Sequence, residues 1–303
     1  MEVMTLQNEI RKLLRERKAI LIVHYYEREE IQAIADILGD SLALSIEAAR
    51  TDAEVIVFAG VHFMAESAAI VSPEKTVLLP RFDAGCPLAD MITSEQLTQA
   101  RKEHPGAAVV AYVNSTAAIK AQSDICCTSA NAVKIVNSLT ERREVLMIPD
   151  GNLARYTAGF TDKKIIPWNG YCPVHHFLTP EEVARTKVLH PGAPFAAHPE
   201  CRTEVLMMAD FVGSTAGIIR FAAESDAQEI IVGTEEGVIV KMRKESPDKT
   251  LIPASGSLDC LTMKLTTLED IRDALREMRH VIRVPEEIRT PAKRALDRML
   301  ALS

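Results

Sequence analysis

The sequence predicts an α/β protein built from three similar α/β domains, each a small parallel four-stranded sheet with flanking helices, related by a pseudo-threefold axis. Three observations predict it. Polar residues that close or follow short apolar runs recur at spacings of 88 and 86 residues: His24, Tyr112 and His198, then Tyr26, Asn114 and Glu200, then Asp36, Asp124 and Asp210, then Ser41, Ser129 and Thr215. The apolar runs do not alternate with polar residues, so both faces of each strand are buried, as in a parallel sheet covered on both sides. Segments of helical length and pattern lie between the runs, which is how parallel strands are joined.

Each block opens on a helix. In the first, Thr5 leads Leu6, Ile10, Leu13 and Leu14 at helical spacing. Later blocks open on capping boxes, in which a threonine and the residue three further on each satisfy the other's backbone N–H: Thr93-Ser94-Glu95-Gln96 and Thr179-Pro180-Glu181-Glu182, with Thr266-Thr267-Leu268-Glu269 matching them. The first strands are Ile20–His24, Val109–Tyr112 and Phe195–His198, and the second are Asp36–Leu38, Asp124–Cys126 and Asp210–Val212. Helical segments Leu42–Arg50, Ala130–Leu139 and Gly217–Glu224 follow. The third strands are Val55–Phe58, Val145–Ile148 and Ile230–Val232, and the fourth are Val77–Pro80, Ile165–Pro167 and Leu251–Pro253. The expected domains are therefore 1–88, 89–174 and 175–262. Residues 263–303 add two amphipathic helices, marked by Leu268, Ile271, Leu275 and Met278 and by Ile288, Ala292, Ala295 and Met299, which should dock back on the body.

Composition supports this reading and removes others. Among 303 residues, 47% are hydrophobic and 25% charged, enough apolar side chain for several cores and unlike disordered, collagenous or coiled-coil chains. Lys and Arg number 35 against 42 Asp and Glu, a net charge of −7 without a basic stripe, which argues against nucleic acid or an anionic membrane as partner. Met1-Glu2-Val3-Met4 lacks the basic start of a secretory signal, and no stretch approaches the roughly 18 apolar residues that cross a bilayer. A cytoplasmic location is expected. Thiols stay reduced there, so the six cysteines must be core residues, catalysts or metal ligands.

Ligands of parallel α/β sheets bind beyond the carboxyl ends of the strands, where the repeated polar columns fall. A threefold arrangement would bring His24, Tyr112 and His198 into one cleft and gather Cys86, Cys172 and Cys260, spaced by 86 and 88 residues, at one point. Three thiolates without a fourth suit a metal centre with an open position, either a four-iron cluster with one non-cysteine iron or a three-cysteine zinc. Cys126, Cys127 and Cys201 have no threefold counterparts and read as core thiols. Ser41, Ser129 and Thr215 fall where helix N-caps do, and three such termini in one cleft would form an anion site. Asp36, Asp124 and Asp210 open strands, a place for ordering a turn or capping a helix.

With these residues assembled, the chain resembles the quinolinate synthase family. The resemblance rests on His24-Tyr25-Tyr26, Gly39-Asp40-Ser41, Phe63-Met64-Ala65-Glu66, Tyr112-Val113-Asn114-Ser115-Thr116, Thr128-Ser129-Ala130-Asn131, His198-Pro199-Glu200-Cys201 and the three spaced cysteines. It implies condensation of iminoaspartate with dihydroxyacetone phosphate to quinolinate, phosphate and water, in de novo NAD biosynthesis. It also implies one [4Fe-4S] cluster per chain on Cys86, Cys172 and Cys260, its open iron acting as Lewis acid. His24, Ser41, Tyr112, Asn114, Ser129, His198, Glu200 and Thr215 would bind substrate. Tyr26 and Glu200 would perform acid/base work, with His175 as a further candidate and Glu200 expected in its protonated form. Tyr25 departs from the family's pattern and takes no role. The unstable imine invites handover from an L-aspartate-oxidising enzyme. Two alternatives share these features: another iron-sulfur hydro-lyase acting on a small dicarboxylic acid, and a non-catalytic triplicated zinc domain.

Overall fold

A computed structural model describes residues 2–303 of the chain. Its twelve described strands form three four-stranded parallel sheets. The first holds β1 (Ala19–His24), β2 (Ile37–Gly39), β3 (Val55–Ala59) and β4 (Thr76–Leu78); the second β5 (Ala108–Tyr112), β6 (Ile125–Cys127), β7 (Glu144–Ile148) and β8 (Lys164–Pro167); the third β9 (Phe195–Ala197), β10 (Phe211–Val212), β11 (Glu229–Gly233) and β12 (Thr250–Pro253). All three have the same order, β2-β1-β3-β4, β6-β5-β7-β8 and β10-β9-β11-β12. Every residue of β3 and β5 is buried, which is why their sequences are apolar without alternation.

Asp36 and Asp210 of the aspartate column share one structural role. Asp36 Oδ2 accepts the Leu21 N–H and Asp210 Oδ2 the Phe195 N–H, both at 2.8 Å, so each carboxylate completes the backbone bonding of the neighbouring first strand. Arg11 and Lys187 then pair with them from the surface.

The chain divides into two compact units. One comprises residues 1–90, 113–126 and 261–303. Its core joins Ile10 and Leu14 of the helix Glu2–Glu16, Leu21, Val23 and Val57 of the first sheet, and Leu268, Ile271 and Leu275 of the helix Leu268–Glu277. That last helix starts one residue later than the sequence suggested. Thr267, not Thr266, is its cap, in a box with Asp270, while Thr266 is fully buried. Met278 lies just past the helix end, with left-handed backbone at φ 51°. The helix Glu286–Leu300 buries Ala292, Ala295, Leu296 and Met299 and packs against the helices His62–Val71 and Ala117–Ala121.

The other unit comprises residues 91–112 and 127–260. Leu178, Val183, Phe195, Ala197, Val205, Ile231 and Leu258 build a core on its third sheet. The two remaining capping boxes form as the sequence spells them, Thr93 with Gln96 and Thr179 with Glu182. No described helix is long and apolar enough to cross a membrane.

Candidate active site and metal-binding residues

Each register-matched cysteine sits on a loop fastened in the same way. The residue three beyond the third strand of each sheet donates its backbone N–H to the carbonyl two residues before the cysteine: His62 to Ala84, Gly151 to Gly170 and Glu236 to Leu258, all at 2.8 Å. Close approach requires glycine in the second case, since a Cβ on Gly151 would lie 2.3 Å from the Trp168 carbonyl oxygen and one on Gly170 2.3 Å from that of Pro149. Two of the loops carry a second anchor. Asp150 Oδ2 accepts the Cys172 N–H at 3.1 Å, and Glu235 Oε1 accepts the Cys260 N–H at 3.3 Å. Their other oxygens accept from Leu153 and Gly237, both at 2.7 Å. Val61 occupies the corresponding position of the first block.

Exposure separates the six cysteines into the two groups the spacing suggested. Cys86, Cys172 and Cys260 are half-buried, whereas Cys126, Cys127 and Cys201 are buried. Burial pushes the Cys126 thiol up to about 12 and the Cys201 thiol higher still, which leaves both as inert core groups. A metal ligand must be a thiolate that can shed its proton and be reached, which each of the half-buried three satisfies and the buried ones do not.

Around Cys172 the second unit assembles a polar cluster. Cys172 is the N-cap of a short helix, Pro173–His176, whose proline occupies the first helical position and whose turn returns His175 toward the cysteine. His175 Nδ1 lies 2.8 Å from Glu200 Oε2 and 3.3 Å from Cys172 Sγ, while its Nε2 lies 2.9 Å from Thr234 Oγ1. His198 Nδ1 reaches the same Glu200 oxygen at 3.2 Å, its ring stacks on His175 with centroids 4.5 Å apart, and its Nε2 lies 3.2 Å from Ser129 Oγ. Asn152 donates to the Glu200 carbonyl at 2.9 Å and fixes the backbone beneath it. His175, His198 and Glu200 are each at most 3% exposed, and Glu200 Oε1 is buried without a hydrogen-bond partner.

Electrostatics here bear on one sequence expectation. Burial drives the Glu200 carboxyl upward, but the His198 and His175 imidazoles outweigh it and hold the group below the usual carboxylate range. That direction favours the charged form, whereas the protonated acid was expected beside an anionic substrate. Burial and His198 together lower His175 toward its neutral form. Asp150, buried and facing the charge of Glu200, is raised well above an ordinary carboxyl.

The structure thus brings Cys172, His175, His198, Glu200 and Ser129 together. Tyr112, which ends β5, and Thr215 are buried in the same unit, and Cys260 lies on its fastened loop. His24, Tyr26, Ser41, Cys86 and Asn114 belong to the other unit. There the Tyr26 N–H donates to His24 Nδ1 at 3.2 Å, the same turn that joins Glu200 N–H to His198 Nδ1 at 3.4 Å. Asn114 Oδ1 is buried without a partner. The three hydroxyls are not caps: Asp40 caps the helix Ser41–Arg50 and Ser214 caps Thr215–Glu224, which makes Ser41 and Thr215 first helical residues, and Ser129 precedes the helix Ala132–Ser138 by three residues. The preceding residue takes the capping bond in each of the first two cases, which leaves the hydroxyl oxygen out of it. Sequence reasoning missed Asp150, Asn152, Thr234 and Glu235. Asp150 and Glu235 each stand two residues beyond a third strand, as Val61 does in the first block, but outside the 88 and 86 spacing of the polar columns.

Three parallel sheets of one topology, each followed by a fastened cysteine, and a buried histidine–glutamate cluster beside one of those cysteines define an α/β class with a candidate metal site. Comparison with known proteins narrows the class. The family model for quinolinate synthetase A protein matches residues 8–301, and the chain belongs to that family. It is 58% identical over 298 residues to the quinolinate synthase of Geobacter sp. (strain M21), covering 98% of each chain. It is 59% identical over 297 residues to that of Geotalea uraniireducens (strain Rf4), covering 98% of this chain and 97% of the relative, and 55% identical over 297 residues to that of Methanoregula boonei, covering 98% of each.

Proposed function

We propose that the chain condenses iminoaspartate with dihydroxyacetone phosphate to give quinolinate, phosphate and water, for de novo NAD biosynthesis in the cytoplasm. The observation that carries this reading is Glu200 Oε2 held between two imidazoles beside Cys172, within a family whose relatives are named quinolinate synthase. Each water lost on the way to an aromatic ring requires a proton to leave carbon or nitrogen and a hydroxyl to leave protonated. Glu200 Oε2, shared by two imidazoles in a dry site, couples them into one proton-transfer group in which His175, lowered toward its neutral form, is the acceptor. His175 and His198, sharing its Oε2, take the proton onward and return it to a leaving hydroxyl. Ser129, tied to His198 Nε2, offers its hydroxyl to a substrate carboxylate. Tyr26 serves as the second acid/base group, and His24, Ser41, Tyr112, Asn114 and Thr215 complete substrate binding. This set extends the role first given to His175.

Cys86, Cys172 and Cys260 hold one [4Fe-4S] cluster. When bound, it supplies a Lewis-acidic iron to a substrate oxygen or nitrogen. The domains follow the repeat, 1–88, 89–174 and 175–262, with 263–303 as an appended pair of helices, and the small-molecule substrates include an imine handed over by an L-aspartate-oxidising enzyme. The test is product formation: the anaerobically isolated chain, given dihydroxyacetone phosphate and enzymatically generated iminoaspartate, should yield quinolinate identified by mass. Turnover of another dicarboxylic acid with no quinolinate would replace this reading with a hydro-lyase.

A further inference from the structure

Cys172, His175 and Glu200 place a thiol sulfur, an imidazole nitrogen and a carboxylate oxygen all within 4.8 Å of one another, the mixed donor set of a zinc site with one position open. We propose that this group is a mononuclear site for a zinc-like divalent cation, distinct from the three-cysteine set and mutually exclusive with it, because both use Cys172.

Three features beyond the donors support it. His175 Nε2 is engaged by Thr234 Oγ1 at 2.9 Å, which turns Nδ1 toward Cys172 and Glu200, and a metal-bound imidazole is oriented by just such a bond from its other nitrogen. The Cys172 backbone is held by Asp150 and that of Glu200 by Asn152, so two of the three ligands are pre-positioned. Glu200 Oε1 is buried without a hydrogen-bond partner, a carboxylate oxygen open to a cation. Binding balances simply. The Cys172 thiol loses its proton to solvent, the imidazole proton moves from Nδ1 to Nε2 and is accepted by Thr234, and thiolate with carboxylate neutralises the dication. The occupied site would withdraw Cys172 from the cluster and Glu200 from proton transfer, so zinc is expected to inhibit.

The test is a titration of the full-length chain, stripped of metal by chelation and shown folded by circular dichroism, with cobalt(II) as a spectroscopic probe and then zinc in competition. One tetrahedral cobalt per chain with a sulfur charge-transfer band is expected. It should persist in Cys86→Ser and Cys260→Ser, be lost in His175→Gln and Glu200→Gln, and weaken about ten- to hundredfold in Thr234→Val. Absence of binding, retention of the signal in both His175→Gln and Glu200→Gln, or its loss in Cys86→Ser and Cys260→Ser would overturn the proposal. None of these outcomes decides whether the three cysteines hold a cluster under anaerobic conditions, so the two readings fail separately.

Discussion

Glu200 shows how a residue's neighbours, rather than its type, set its chemistry. A carboxylate with at most 3% exposure would ordinarily stay protonated, yet two imidazoles on one of its oxygens hold it charged. A carboxylate held that low is a weak base by itself, so its acid/base work runs through the imidazoles on its Oε2, and Glu200→Gln should keep cluster absorbance while turnover falls by roughly a hundredfold or more, the usual scale for acid/base catalysis. Tyr26→Phe should behave alike. Single-turnover rates check both, and near-normal rates would assign these residues to shaping the site. Glu27 presents the opposite case. It is fully buried, and burial pushes its carboxyl from 4.5 up to about 8 against the pull of the Arg28 N–H and the Lys264 charge. The folded state therefore holds a proton that the unfolded chain releases near its ordinary value. Glu27's contribution to stability is intact below about pH 4.5 and declines as the pH rises toward 8, by up to about 1.4 kcal/mol per pH unit over that window. Glu27→Gln should remove the decline, so the gap in melting temperature between variant and parent should widen from pH 5 to pH 8. A pH-independent gap would contradict it.

At the scale of elements, the strands and capping boxes were legible because their signals are local: an apolar run of four or five residues, or a threonine with a glutamate or glutamine three further on. Boundaries that depend on competition were not. Asp40 and Ser214 outcompete Ser41 and Thr215 for the capping bond, and Thr267 displaces Thr266, which the core buries. The cysteine loops were visible as three spaced residues, but their fastenings are backbone bonds with no sequence signature beyond Gly151 and Gly170. The carboxylate anchors join residues 22 and 25 apart across a loop, which spacing alone does not reveal. Asp150→Ala and Glu235→Ala should each release their cysteine loop and accelerate loss of iron to a chelator about ten- to hundredfold, while Asp150→Asn, which keeps one accepting oxygen, should lie between. Equal rates in all three and the parent would show that the backbone bond alone holds the loop.

For the molecule as a whole, the repeat did most of the predicting. Three sheets with one strand order, three identically placed cysteines and two copies of the histidine-capped turn at His24 and His198 descend from one register in the sequence. The histidine–glutamate cluster was legible in part, since His175, His198, Glu200 and Ser129 were all singled out. Their convergence on one carboxylate oxygen was not, because it joins residues from separate loops. The claim on which the account turns is that the register-matched cysteines, and not the buried ones, hold the metal. Iron and acid-labile sulfide counts on the anaerobically isolated chain and on four single cysteine-to-serine variants test it most directly. The account predicts four irons and four sulfides per chain in the parent and in Cys127→Ser, and loss of the cluster in Cys86→Ser, Cys172→Ser and Cys260→Ser. Equal loss in Cys127→Ser, or a colourless parent without iron, would contradict it.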